Sequence, residues 1–146
     1  MSNDRLEIYQ AYIGDLGNIG TRYATSNGFY LSVASALLAI LAFAETGKPL
    51  EGIASGVGIA ISLFGIVICW IWRTTIDYYG TLFGAKFQVL RSLEEQLPFG
   101  CFTVEWEHIK GTTPLLKNER RVPFALGVLF VALAVAFVGQ ALCVDV

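Results

Sequence analysis

Charge is scarce in this chain and unevenly spread. Only 15% of its 146 residues are charged, against 55% that are hydrophobic. Histidine and cysteine are scarcer still, with one histidine, His108, and three cysteines, Cys69, Cys101 and Cys143, none in a CxxC spacing. A histidine beside Glu105 and Glu107 has the chemistry of a base or a ligand, but without a second histidine or a cysteine cluster it reads as a loop residue. The cysteines read as small apolar side chains and not as a redox pair. There is no phosphate-binding glycine loop, no GxSxG and no HExxH, and the Gly14, Gly17, Gly20 series follows no strand, so it is not a dinucleotide fingerprint. The expectation is a protein that is not an enzyme, with no cofactor, metal or catalytic residues.

The missing charges leave three segments, 28–44, 53–72 and 122–144, without a single Asp, Glu, Lys, Arg or His. Their lengths fall in or near the ~17–25 residues that cross a bilayer as a helix, which predicts three transmembrane helices. The first is the shortest and also fits a re-entrant segment. Because a proton-coupled transporter carries an ionisable group inside the membrane, that class is disfavoured. About 27 mostly polar residues precede the first apolar run with no basic stretch against it, so no cleavable secretory signal is expected.

Placing the charges orients the spans. Arg5, Arg22, Arg73, Lys86, Arg91, Lys110, Lys117, Arg120 and Arg121 share one side and only Lys48 lies on the other, so the N-terminus is expected in the cytosol and the C-terminus outside. Nine of the twelve acidic residues fall on the same side as those basic ones. The cytosolic part is then close to neutral and has no basic patch for nucleic acid.

What the chain does have is a long helical pattern with no break. From 53 onward no proline occurs until Pro98, and past the apolar run Ile76, Tyr79, Phe83, Phe87, Leu90, Leu93 and Leu97 recur at steps of three and four, as on one face of a helix. The expected organisation is a cytosolic amphipathic helix at 1–26, a first span at 27–45, an external turn at 46–52 and a second span continuing as a cytosolic helix over 53–97. A cytosolic loop at 98–121, a third span at 122–144 and an external tail at 145–146 follow. Leu6, Tyr9, Ile13, Leu16, Ile19 or Gly20, and Tyr23 form the N-terminal stripe. Its Gly14, Gly17 and Gly20 fit either a loose surface helix or, slightly better, close packing on the long helix. The join at Thr25 to Asn27 reads equally as a capped break or as continuous helix. Within the loop, 102–109 is compatible with a short helix, and Pro123 suits the first turn of the last span. Small residues four apart, Gly52, Gly56 and Ala60 on one row and Ala54, Gly58 and Ser62 on another, predict close helix packing, within one subunit or between subunits.

Asn27-Gly28-Phe29, then Trp72, Ile76, Tyr79, Leu82, Ala85-Lys86-Phe87, Val89, Glu94, Leu97-Pro98, Phe102, Glu105-Trp106, Glu119 and Val122-Pro123 resemble the RipA-family octameric small membrane proteins. More distantly they are similar to the octameric pore-forming accessory protein of type VI-B CRISPR systems. Gly80 and Phe83 depart from that pattern. The resemblance implies an all-α, ring-forming homo-octamer of the bacterial inner membrane, acting as a pore or gated permeability effector in phage defence. Its partners would be membrane lipids and other copies of itself. It also gives an assembly role to Ile76, Tyr79, Phe83, Lys86, Phe87, Leu90, Glu94, Leu97, Glu105 and Trp106, with Lys86, Arg91, Glu94 and Glu95 pairing between subunits or standing as a solvated face. The alternative is a non-conducting scaffold whose cytosolic helices dock a soluble partner.

Overall fold

The computed structural model describes residues 2–46, 51–95, 97–110 and 115–144, with side-chain surroundings for 4–43, 56–95, 97–110 and 117–143. Most of the expected turn at 46–52, the surroundings of Gly52, the turn formers at 111–114 and the tail at 145–146 lie outside the described residues. The elements are α1 (Ser2–Thr46), α2 (Glu51–Glu94), α3 (Cys101–Ile109), α4 (Leu115–Glu119) and α5 (Arg121–Val144). No strand occurs among the described residues. Three of the helices, α1, α2 and α5, are long and apolar enough to cross a membrane.

Helix α2 is the post of the fold, and each of the other four helices packs against it. It has 44 residues, so it is about 66 Å long, roughly twice the thickness of a hydrocarbon core. It ends at Glu94, with the Leu97 N–H turning back to the Glu94 carbonyl at 2.9 Å, three residues short of the expected end. Helix α1 is continuous through Thr25 to Asn27, where both a break and a straight run were open. The Thr25 hydroxyl donates to the Thr21 carbonyl at 2.9 Å, an i−4 bond that occupies the side chain inside the helix and leaves it no capping role.

Among the described side chains of α2, those buried are Gly58, Ser62, Gly65, Cys69, Trp72, Ile76, Leu90 and Glu94. The first six step by four and three in strict alternation, the seam of a left-handed helix pair. Its composition changes along the way, from small side chains in the apolar half to large ones in the charged half. Where they are small, α5 comes close. A Cβ on Gly58 would lie 2.7 Å from the Phe137 ring, and one on Gly65 would lie 2.5 Å from the Phe130 ring. Phe130 and Phe137 are seven residues apart, as are Gly58 and Gly65, so two rings fill two glycine notches one heptad apart. Ala34 and Leu41 of α1 complete this cluster with Cys69. Gly56 and Ala60 are exposed, and nothing lies within 4 Å of where a Gly56 Cβ would be. Of the two rows of small residues, then, Gly58 and Ser62 pack inside the protomer while Gly56 and Ala60 face outward.

Helix α1 runs antiparallel to α2, with Tyr9 reaching Glu94 and Tyr30 reaching Thr75. Tyr9 and Ile19 are buried and Tyr12, Leu16 and Tyr23 are partly buried, whereas Leu6 and Ile13 are exposed at 46% and 36%. The stripe is therefore rotated from the one the spacing suggested. The slight preference for Gly14, Gly17 and Gly20 packing on the long helix is also corrected, since nothing lies within 4 Å of any of the three Cβ positions. Gly14 and Gly17 are exposed, and the buried or half-buried side chains there are Tyr9, Tyr12, Leu16, Ile19 and Tyr23.

Candidate functional site

Two polar assemblies tie the helices together. The first forms a collar where the uncharged parts of α1, α2 and α5 end. The Trp72 indole N–H donates to Asn27 Oδ1 at 2.8 Å, and the Tyr30 ring stacks on Trp72 with centroids 6.1 Å apart. Tyr30 and Thr75 hydroxyls lie 3.3 Å apart. Below them the Tyr23 hydroxyl donates to Glu119, and its ring packs 5.2 Å from Tyr79 and 6.0 Å from Phe83. Arg120 Nε meets Asp77 Oδ1 at 2.5 Å, which ties the start of α5 to α2. Aromatic rings with one polar edge suit the level where hydrocarbon gives way to water.

The second assembly is centred on Glu94, only 4% exposed. As the last residue of α2 it puts a negative charge at a helix C-terminus, where the macrodipole disfavours it. The fold answers by aiming the carboxylate at the N-terminus of α3. Oε1 accepts from the Phe102 N–H at 2.8 Å and from the Tyr9 hydroxyl at 2.8 Å. Oε2 accepts from the Thr103 N–H at 2.9 Å and the Thr103 hydroxyl at 2.7 Å. The residue before α3 is Gly100, which has no side chain to cap with, so Glu94 satisfies the unpaired first-turn amides in its place. A Cβ on Gly100 would stand 3.0 Å from Glu94 Oε2, so the glycine also permits the approach.

Burial pushes the Glu94 carboxyl up, but its hydrogen bonds from Phe102, Thr103 and Tyr9 outweigh that and hold it below the ordinary carboxylate value. A group whose folded pKa is depressed contributes stability above its unfolded pKa and loses it as pH falls through the folded one. Protection of the 97–110 amides in hydrogen exchange is therefore expected to stay level from neutral pH down to the usual carboxylate range and to fall only below it. Burial first, then the Glu94 hydrogen bond and charge, push the Tyr9 phenol up to about 12. The Tyr23 phenol is also pushed up to about 12, by burial and by its bond to Glu119. Ultraviolet titration is expected to show two late tyrosines, of which Tyr9→Phe removes one. A neutral phenol stabilised in this way holds its contribution below pH ~10 and loses it as pH rises toward the folded value.

The other residues given an assembly role divide into two groups. Ile76 and Leu90 are buried by the chain's own helices, and Tyr79, Phe83 and Leu97 are partly buried. Lys86 bonds Asp15 of α1, which pushes its pKa up, and lies 4.5 Å from the Tyr12 ring centroid. Arg91 sits 4.9 Å over the exposed Trp106 ring, Phe87 packs 6.0 Å from Phe102, and Glu105 is exposed. Lys86 and Glu94 thus find partners in their own protomer, because α1 covers the face that neighbouring subunits were expected to reach. Sequence reasoning placed Tyr9 in the N-terminal stripe and read Gly100 as a turn former, but it missed their tie to Glu94, and it missed Thr103 and Gly65 altogether. A helix opening on glycine, with no Ser, Thr, Asp or Asn before it, was the available signal that a cap must come from elsewhere. Among the described residues no group of three His, Cys, Asp or Glu is brought together as a metal set.

A post crossed by two apolar helices, with a charged half beyond them, defines a polytopic α-helical membrane protein. The chain belongs to the octameric membrane protein family (8xMP), whose model matches residues 6–139. Comparison with curated proteins and with solved structures found no match.

Proposed function

We propose that the protein is a non-enzymatic homo-octamer of the bacterial inner membrane, built as a ring, that acts as a pore or gated permeability effector in phage defence. One observation carries the assembly part of this reading. Outside the three uncharged segments the protomer still exposes Leu6, Ile8, Tyr78, Val89, Phe99 and Trp106 at 41–67%. Water disfavours so much apolar surface at about 25 cal/mol per Å², and a protein of an octameric family has seven further copies to cover it. Opening is then a property of uncharged spans that wet and dry, since they carry no charged filter. Salt flux from liposomes containing the purified protein tests the reading. Leakage above empty liposomes is expected, and an octameric but ion-impermeant particle overturns the conducting part.

A second reading is favoured by α3, which has no buried residue and exposes Val104, Trp106 and Ile109. In a docking scaffold this helix receives a soluble cytosolic partner. A stable partner recovered in a pull-down, with membrane potential unchanged on expression, supports the scaffold over the pore.

A further inference from the structure

On the outer side of the α2–α5 seam lies a groove of about 320 Å³, lined by Ile66, Cys69, Trp70, Phe124, Val128 and Val131, with Arg73 and Pro123 at one end and Gly127 in its floor. It exists because two small residues meet there. A Cβ on Gly127 would be 3.6 Å from the Cys69 Cβ, so nothing bulky fills the space between the helices at that point. Its volume is about ten times the ~30 Å³ share of one water molecule, and its walls offer water almost no partner. From Pro123 to Val131 it runs about 12 Å along α5, most of the ~15 Å depth of one leaflet's hydrocarbon.

The mouth of the groove is positively charged. Arg73 sits 5.8 Å over the Phe124 ring, and no carboxylate lies within 4 Å of it among the described residues. Arg121, also exposed, precedes Phe124 by three residues and Val128 by seven, which places it on the same face of α5. Arg120, by contrast, is neutralised by Asp77. Two guanidiniums that pair with no carboxylate among the described residues therefore stand where an apolar cleft reaches the headgroup level. Arginine matches phosphate oxygens in two-point hydrogen bonding, and the cleft continues the apolar path below them.

We infer that the α2–α5 groove is a binding site for an anionic phospholipid, one acyl chain lying between Trp70 and Val128 and the phosphate held by Arg73 with Arg121. The occupant is a lipid and not a neighbouring helix, because a helix packed on this face would bury both unpaired guanidiniums without a counter-charge, whereas a phosphate supplies one.

Native mass spectrometry of the detergent-purified oligomer, incubated with phosphatidylglycerol or phosphatidylcholine of matched chains, reads this directly. Phosphatidylglycerol is expected to be retained in preference. Arg73→Gln is expected to cut that preference about fivefold, with Arg73→Lys restoring most of it. Val128→Trp fills the groove from its exposed wall and is expected to lower retention of both lipids while leaving the oligomer mass unchanged. Equal retention of the two lipids by the unaltered protein, or a preference that Arg73→Gln leaves as it was, overturns the site. So does a Val128→Trp protein that falls apart into protomers with its lipid count per chain intact, for then the groove is a contact between copies.

Discussion

Gly65→Ala is expected to destabilise the purified protein by about 1–3 kcal/mol, read as a lower unfolding temperature in detergent. The added methyl would lie 2.5 Å from Cδ1 of Phe130, a separation that real side chains do not adopt, and Phe130 is 0% exposed, so the ring has nowhere to turn. One atom must be accommodated by parting α2 from α5 where the Phe130 ring fills the notch. Membrane helices gain no hydrophobic drive from lipid, so close packing of this kind is what holds such a pair together. Combining the change with Phe130→Leu, which vacates part of the notch, is expected to recover stability, with a coupling energy of about 1 kcal/mol or more. Gly56→Ala is the control. That methyl meets nothing in the protomer, so within one chain it adds helix propensity of up to about 1 kcal/mol. A loss of oligomer from Gly56→Ala would place a neighbouring subunit against the outward row.

Glu94→Ala is expected to release α3 from the end of the post. The change strands the amides of Phe102 and Thr103 and the hydroxyls of Tyr9 and Thr103, all of which Glu94 now accepts. Hydrogen bonds to a charged group are worth about 1.5–3 kcal/mol each, but water reaches the amides once α3 lifts, so the net cost is set at about 3 kcal/mol. That corresponds to roughly a hundredfold faster exchange of the 97–110 amides, with the spans unaffected. Glu94→Gln is expected to lose nearly as much, because four donors converge on this site and an amide offers one acceptor oxygen and two further donors. An isolated drop in oligomer mass, with exchange at 97–110 unchanged, would instead mean that Glu94 pairs between subunits.

The all-helical class and the three apolar helices were legible because both rest on local pattern. An uncharged run of about 20 residues is satisfied only by a helix when no water is present, and the three-four steps after Trp72 show in any listing of the residues. The resemblance carried by 72–106 and its flanks led to the family that the match over 6–139 establishes. Which small residues would touch was not legible. Gly52, Gly56 and Ala60 read as well as Gly58 and Ser62, and Gly65 belongs to neither row. The choice depends on how α5 is rotated about its axis, set by rings about 70 residues away in sequence. The same holds for α1, where Leu6 and Ile13 fit the periodicity yet stand outside the contact.

Composition and spacing alone therefore determined that the chain is a helical membrane protein with three apolar helices, since burial of unpaired backbone and of charge in lipid leaves no other arrangement for its uncharged runs. Tertiary structure decided what the charged half of α2 does. Within one chain, α1 lies along it, with Asp15 bonding Lys86 and Tyr9 bonding Glu94. Glu94 becomes the cap of α3 because the first turn of α3 lies against the end of α2 and brings two free amides to a carboxylate that its own helix disfavours. Such a pairing joins a tyrosine at position 9, a helix end at 94 and a helix start at 102, and only a folded chain places them at 2.8 Å.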